Sequence, residues 1–240
     1  MQDRVCLIVP CYNEAARLDL AQFEAAAARE PVWFLFVDDG STDGTADVVR
    51  RRANDRLWLV ALDRNVGKAE AVRQGMLRAA GLPFYAQLEW VGFWDVDLST
   101  PLDELPRFLE YRAFSGVAAY AVFGSRVARL GSRIRRRPAR HVLGRLFVTL
   151  ASLLLGTRAY DSQCGAKIFR TAVVPRCFGE PFVTRWLFDL EILLRLGDEA
   201  VLEYPLRAWH DVPGSKLRLL PNVWRTLRDL ARLRARYPSR

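Results

Sequence analysis

The sequence has little of what would mark a membrane-spanning, secreted or disulfide-stapled chain. No run of 18 or more apolar residues occurs, so no transmembrane helix is predicted. The first apolar run, Val5 to Val9, follows Asp3 and Arg4 and is too short for the apolar region of a signal peptide. The four cysteines (Cys6, Cys11, Cys164 and Cys177) have neither CxxC spacing nor the density of a disulfide scaffold. They read as reduced, cytosolic thiols with no metal role. There is no GxGxxG after the first strand-like run and no GxxxxGK[ST] anywhere, which removes the main support for dinucleotide and P-loop readings. Internal repeats and low-complexity linkers are also missing. What is present, 51% hydrophobic residues in 240, suffices for one domain with a sizeable core and argues against disorder.

Acidic residues are missing from two particular places. Arg126 to Arg140 holds seven arginines and no acid, and Lys216 to Arg240 holds eight basic residues against Asp229 alone. These segments carry +14 of the net charge and leave the rest of the chain at −5. Basicity so localised implies an anionic partner there: membrane surface, phosphate or nucleic acid. Solvated basic helices are the bland alternative. The arginines are interleaved mainly with aliphatics rather than stacking aromatics, which favours lipid over nucleic acid.

Short apolar runs at Val5–Val9, Val32–Val37, Leu57–Leu62, Leu88–Trp94 and Val117–Phe123 alternate with helix-like stretches near Glu14–Arg29, Asp43–Arg52, Lys68–Ala80 and Pro101–Arg112. This alternation predicts an α/β fold, a mostly parallel sheet with helices on both faces. Ligands of such sheets bind at the carboxyl ends of the strands. Four successive strand ends carry polar clusters: "PCYNE", "DDGSTDGT", "DRNVGKAEA" and "DVDLST". Each alone also reads as a turn with a helix cap; four in succession point to a site. Asp95 and Asp97, two apart at the end of a buried apolar run, would face the same side of a strand. Paired carboxylates repel and are costly to bury unpaired, so a positive group belongs between them.

In order, "VPCYNEAARL", "VDDGSTDGT", "NVGKAEAVRQGM" and "DVDLSTP" resemble the nucleotide-sugar domain of family 2 glycosyltransferases, which have the GT-A (Rossmann-like) fold. "GSR" at 124–126, "DSQCGAKIFR" at 161–170, "RWLFDLEILLR" at 185–195 and "GSKLR" at 214–218 are similar to the dolichyl-phosphate glucosyltransferase branch, whose members transfer a hexose to a polyprenyl phosphate. The resemblance implies a catalytic domain over 1–215 and a tail over 216–240. It implies that Pro10, Tyr12, Glu14 and Asp39 hold the nucleoside of a nucleotide-sugar donor, with Gly67 and Lys68 near its base or diphosphate. It makes Asp95 and Asp97 the pair that binds Mg²⁺ or Mn²⁺ on that diphosphate. Ser99 stands where mannosyl-transferring relatives often carry Gln, and Ala69 where the branch usually has Gly.

A phosphate acceptor is already largely ionised at pH 7 and needs positive charge more than a general base. Arginine supplies that bidentately, and Arg126, Arg136 and Arg140 match arginines of the branch, with Lys216 a fourth candidate. The family's base region corresponds to "FDLE", so Asp189 or Glu191 is either a base or a residue that orders the arginines; Asp97, Arg126 and Asp189 are the candidate catalytic set. His141 to Gly156 is apolar, broken by Arg145, Thr149 and Ser152, and too short to span a bilayer. It reads as an interfacial helix or a buried core helix. Trp224, Leu227, Leu230, Ala231 and Leu233 fall at helical spacing among arginines, the pattern of a basic amphipathic helix on an anionic membrane. The expectation is a peripheral enzyme on the cytosolic face of a membrane, moving a hexose, glucose from UDP-glucose first among the candidates, to a polyprenyl phosphate. GDP-mannose as donor, a sugar hydroxyl as acceptor, or a nucleic-acid-binding module are the rival readings.

Overall fold

A computed structural model describes residues 3–135, 138–211 and 223–238. Strands β1 (Val5–Cys11), β2 (Val32–Asp38) and β4 (Trp90–Trp94) are apolar almost throughout because both of their faces are covered. They pair in parallel, β1 between β2 and β4, and β3 (Leu57–Ala61) extends the sheet beyond β2. The sheet continues past β4 through β7 (Ala166–Arg170), β5 (Ala121–Ser125) and β8 (Val201–Pro205), giving the order β3-β2-β1-β4-β7-β5-β8. Only β7 runs antiparallel to its neighbours. A second, two-stranded sheet pairs β6 (Arg133–Arg135) with β9 (Ala208–His210).

One face of the large sheet is closed by α1 (Leu20–Arg29) through Phe23 and by α4 (Glu104–Ser115) through Phe108. The other carries α3 (Lys68–Arg78), α6 (Val174–Phe178) and α7 (Phe188–Leu196), burying Val72, Met76, Phe178 and Phe188. At Gly75 a side chain would overlap Ile8 and crowd Val37, so α3 can lie this close to the sheet only with glycine there. A third apolar cluster joins α5 (Pro138–Leu155), α7 and α8 (Val223–Arg236) through Ala151, Leu155, Leu190, Leu194, Leu230 and Leu233. The remaining helix, α2 (Thr45–Arg50), follows β2.

The mostly parallel, doubly covered sheet agrees with the sequence reading. The first helix starts at Leu20 rather than near Glu14, because residues 14–18 close a turn in which the N–H groups of Arg17 and Leu18 both donate to the Glu14 carbonyl. The apolar stretch 141–156 is neither wholly buried nor wholly interfacial. It lies in α5, which buries Ala151 and Leu155 and exposes Val142, Leu146 and Leu153. The apolar face expected of the tail helix is also divided: Leu230 and Leu233 are fully buried against the body, while Trp224 is 83% exposed. Among the described residues no helix is long and apolar enough to cross a membrane.

Candidate active site

The parallel register of β1 to β4 brings their carboxyl ends to one edge. Pro10 is the penultimate residue of β1, and Tyr12 just beyond the strand is partly exposed. This loop is stitched to the one after β2: Asn13 N–H donates to Ser41 Oγ (2.9 Å), Thr42 N–H to Asn13 Oδ1 (2.9 Å) and Glu14 N–H to Thr45 Oγ1 (2.8 Å). The Glu14 carboxylate is buried and paired with Arg17. Asp39 accepts the N–H groups of Val66 (2.7 Å) and Gly67 (2.9 Å) and the Asn65 amide (3.0 Å), so it ties the β3–α3 loop to the end of β2. Burial pushes its carboxyl up, against the pull of those two N–H groups. Its neighbour Asp38, which sequence reasoning passed over, accepts only the Ser41 N–H (3.2 Å) at Oδ2, and its buried Oδ1 has no hydrogen-bond partner. The doubled "DD" was its one signal.

Asp95 and Asp97 do not sit on a strand. β4 ends at Trp94, and the pair occupies a turn closed by Leu98 N–H on the Asp95 carbonyl (3.1 Å) and Ser99 N–H on Asp97 Oδ1 (3.0 Å), with Leu98 at φ +50°. The Asp95 carboxylate lies on Gly165, where any Cβ would overlap it. The positive group beside this pair is Lys68, the first residue of α3, whose Nζ is 2.5 Å from Asp95 Oδ1. Burial alone would lower the Lys68 pKa, but Asp95, Asp189 and Asp97 outweigh it and hold the ammonium above its ordinary value.

Behind Lys68 stands a second buried pair. Lys167 on β7 has no exposed surface; its Nζ donates to Asp189 Oδ1 and to the Cys164 carbonyl, each at 2.5 Å. It lies 5.1 Å from the ring centres of Phe93 and Phe123. Burial raises the Asp189 pKa, opposed by Lys167 and Lys68. The partner of Asp189 is thus a lysine rather than an arginine. Lys167 was missed from the sequence, although a lone charge inside the apolar run "AKIFR" was its signal. Glu191 lies apart: it is fully buried and holds Arg195 (2.7 Å), the Tyr237 hydroxyl (3.1 Å) and the Val183 N–H (2.8 Å).

At the end of β5, Arg126 commits Nε (2.6 Å) and one Nη (2.7 Å) to Asp161, whose carboxyl, although burial would raise its pKa, is held at about 2 by that guanidinium. Arg126 and Asp161 line a small cleft with Gln163, Tyr160, Val148, Gly144 and Arg145. Arg145, on α5, donates to the Tyr160 carbonyl (2.9 Å) and lies 3.9 Å from the centre of its ring. Arg136 and Lys216 lie outside the described residues, and Arg140 falls in the first turn of α5. Arg185 spans the β3–α3 loop, donating to the Val66 carbonyl (2.5 Å) above Gly67.

The carboxylate pair was expected to hold a divalent cation. Among the described residues no group of three or more acidic, histidine or cysteine side chains could hold one alone. Mg²⁺ ordinarily takes one or two protein carboxylates together with substrate phosphates and water. Two aspartates on a turn packed against Gly165 fit a cation that shares its coordination with a diphosphate.

The fold and the charged strand ends are those of a GT-A glycosyltransferase. Over 99% of its length the chain superposes on glucosyl-3-phosphoglycerate synthase of Mycobacterium tuberculosis, crystallised with Mn²⁺ and UDP-glucose (TM-score 0.67, 19% identity, 80% of that chain). The sequence model of glycosyl transferase family 2 matches residues 6–178, and the chain belongs to that family, whose members are glycosyltransferases. Its relatives include dolichyl-phosphate beta-glucosyltransferases of Drosophila melanogaster (32% identity, 96% of this chain and 74% of that one), Saccharomyces cerevisiae (27%, 96% and 74%) and Trichomonas vaginalis (30%, 88% and 65%). The chain thus spans about two thirds of the Trichomonas relative's length and about three quarters of the other two.

Proposed function

We propose that this protein transfers glucose from UDP-glucose, with inversion, to a polyprenyl phosphate of the dolichyl type, working as a peripheral enzyme on the cytosolic face of an anionic membrane. The observation that carries this reading is the pair of charged centres that follow β4 and β5, the two strands flanking β7. One is acidic with a lysine in it (Asp95, Asp97, Lys68), and the other is a cleft with two arginines (Arg126, Arg145) opening beside α5. The first suits a donor diphosphate with its cation; the second suits an anionic acceptor. The names of the relatives support this choice of substrates, and the Mycobacterium structures with UDP-glucose support the donor.

On this reading the loops after β1 and β2, carrying Pro10, Tyr12, Glu14 and Asp39, cradle the nucleoside, with the unpartnered Asp38 Oδ1 close by as an acceptor for a ligand N–H or O–H. Gly67 and Lys68 flank the diphosphate. Asp95 and Asp97 would hold Mg²⁺ or Mn²⁺, which supplies charge stabilisation for the departing nucleotide. Arg145, with Arg126 kept rigid by Asp161, orients the acceptor phosphate, and Arg136, Arg140 and Lys216 remain candidates from the sequence. An ionised phosphate oxygen attacks the anomeric carbon from the face opposite UDP, the new C–O bond forms as the bond to UDP breaks, and UDP leaves with the electron pair. No proton has to be removed from such an acceptor. Asp189 accordingly serves to position Lys167 and Lys68 rather than to act as a base.

The lipid part of the acceptor would run along α5, where Val142, Leu146 and Leu153 form an exposed stripe (56%, 62% and 79%). Trp224 and the exposed arginines of α8 extend that face toward anionic headgroups. The test is to incubate the protein with polyprenyl phosphate, labelled nucleotide sugars and Mg²⁺ or Mn²⁺, and then to extract the lipid. Label from UDP-glucose entering the lipid phase is expected; label entering only water-soluble products would refute the lipid acceptor.

A further inference from the structure

Lys68 and a divalent cation compete for the same carboxylate. The ammonium is 2.5 Å from Asp95 Oδ1, and Asp95 cannot withdraw, because its carboxylate rests on Gly165 and its N–H is bonded to the Gly165 carbonyl (2.9 Å). The lysine has somewhere to go: its side chain is 44% exposed. Asp189, another carboxylate that acts on it, already has Lys167. A cation at Asp95 and Asp97 would lie beside the ammonium and be repelled by it, so a metal arriving alone meets an occupied place. A diphosphate changes this, since it offers the ammonium a stronger anionic partner while supplying the oxygen ligands that two aspartates lack.

We infer that Lys68 is a placeholder cation: it holds Asp95 in the free protein, moves to the donor diphosphate when the nucleotide arrives, and so makes metal and nucleotide bind as a coupled pair. This rests on the donor reading proposed above. By reciprocity, the factor by which nucleotide tightens metal binding is the factor by which metal tightens nucleotide binding.

The experiment is a Mn²⁺ titration of the purified protein, followed by the electron paramagnetic resonance signal of free Mn²⁺, with and without UDP. For the wild type, UDP should tighten Mn²⁺ binding by about tenfold or more, within the usual range of coupling between sites. Lys68→Met should bind Mn²⁺ more tightly than wild type in the absence of UDP, by a similar factor, and the enhancement by UDP should shrink. Lys68→Arg, which keeps a cation on Asp95, should stay close to wild type. Arg185→Met removes a positive charge near the cleft without vacating Asp95, and should not reproduce the effect. Unchanged or weaker Mn²⁺ binding by nucleotide-free Lys68→Met would overturn the inference, as would an equal gain in Arg185→Met. A wild type that binds Mn²⁺ neither alone nor with UDP would instead overturn the donor-and-metal reading, and this inference with it.

Discussion

Lys167→Met is the most informative single change in the core. The ammonium is fully buried, 2.5 Å from Asp189 Oδ1 and from the Cys164 carbonyl. At an effective dielectric of 20 the gross attraction of such a pair is about 6–7 kcal/mol, and desolvation of each ion takes back several kcal/mol. The intact pair is therefore close to neutral for stability, but removing one member strands the other. Lys167→Met should cost about 3–5 kcal/mol, a large part of the ~5–15 kcal/mol typical of a domain. The double variant Lys167→Met/Asp189→Leu should recover most of that loss while losing transferase activity. The deficit should also depend on pH. Burial pushes the Asp189 carboxyl up, and Lys167 is the strongest pull in the other direction; without it the folded-state pKa rises further above the unfolded value. The folded variant then binds a proton that the unfolded chain releases, so its stability is greatest at low pH and is lost as pH rises through the folded pKa. Urea titrations followed by tryptophan fluorescence at pH 5.5 and 8, each against wild type, should show the smaller deficit at pH 5.5. A cost below about 1 kcal/mol at both pH values, outside the range for a broken buried pair, or a double variant as unstable as the sum of the two singles, would refute the reasoning.

Gly165→Ala should abolish most transfer while leaving circular dichroism unchanged, because the new methyl occupies the seat of the Asp95 carboxylate; normal kcat/KM would show that Asp95 is not held there. Arg145→Gln should raise KM for polyprenyl phosphate by about 10- to 150-fold, matching one lost charge-assisted hydrogen bond of about 1.5–3 kcal/mol, with KM for UDP-glucose unaltered; equal effects on both substrates would remove it from the acceptor side. Leu146→Ser/Leu153→Ser should weaken co-sedimentation with anionic liposomes at a stability cost within about 0.5 kcal/mol, as for other exposed positions; unchanged sedimentation would exclude this face of α5.

The polar clusters at the strand ends were legible in the sequence because each of them is local. "DVDLST" follows β4 directly and "NVGK" leads into α3 a few residues after β3, where parallel-sheet geometry puts ligands. The remaining electrostatics depend on partners far apart along the chain. Lys167 meets Asp189 across 22 residues and Arg126 meets Asp161 across 35, and both contacts exist only because β7 enters antiparallel between β4 and β5. A five-residue strand with two charged positions, Lys167 and Arg170, gives no sign of its direction or neighbours. Arg145 could be read as an interruption of an apolar helix but not as a neighbour of Arg126. The amphipathic pattern of α8 was visible, yet periodicity alone does not say whether an apolar stripe faces outward or into the protein, and here part of it is buried and part exposed.

That division has a consequence for modularity. Membrane anchors are commonly interchangeable parts, since a bilayer asks only for greasiness and charge. In this protein half of the terminal helix is core: Leu230 and Leu233 are sealed against α5 and α7, and the phenol of Tyr237 just beyond α8 joins Glu191 and Arg195 on the helix that also bears Asp189. Grafting an unrelated anchor in its place would unseal the body of the enzyme, and trimming the chain before Tyr237 would leave Glu191 with one tie fewer. Trp224 is turned outward and largely exposed, whereas Leu230, Leu233 and Tyr237 are bound to the fold.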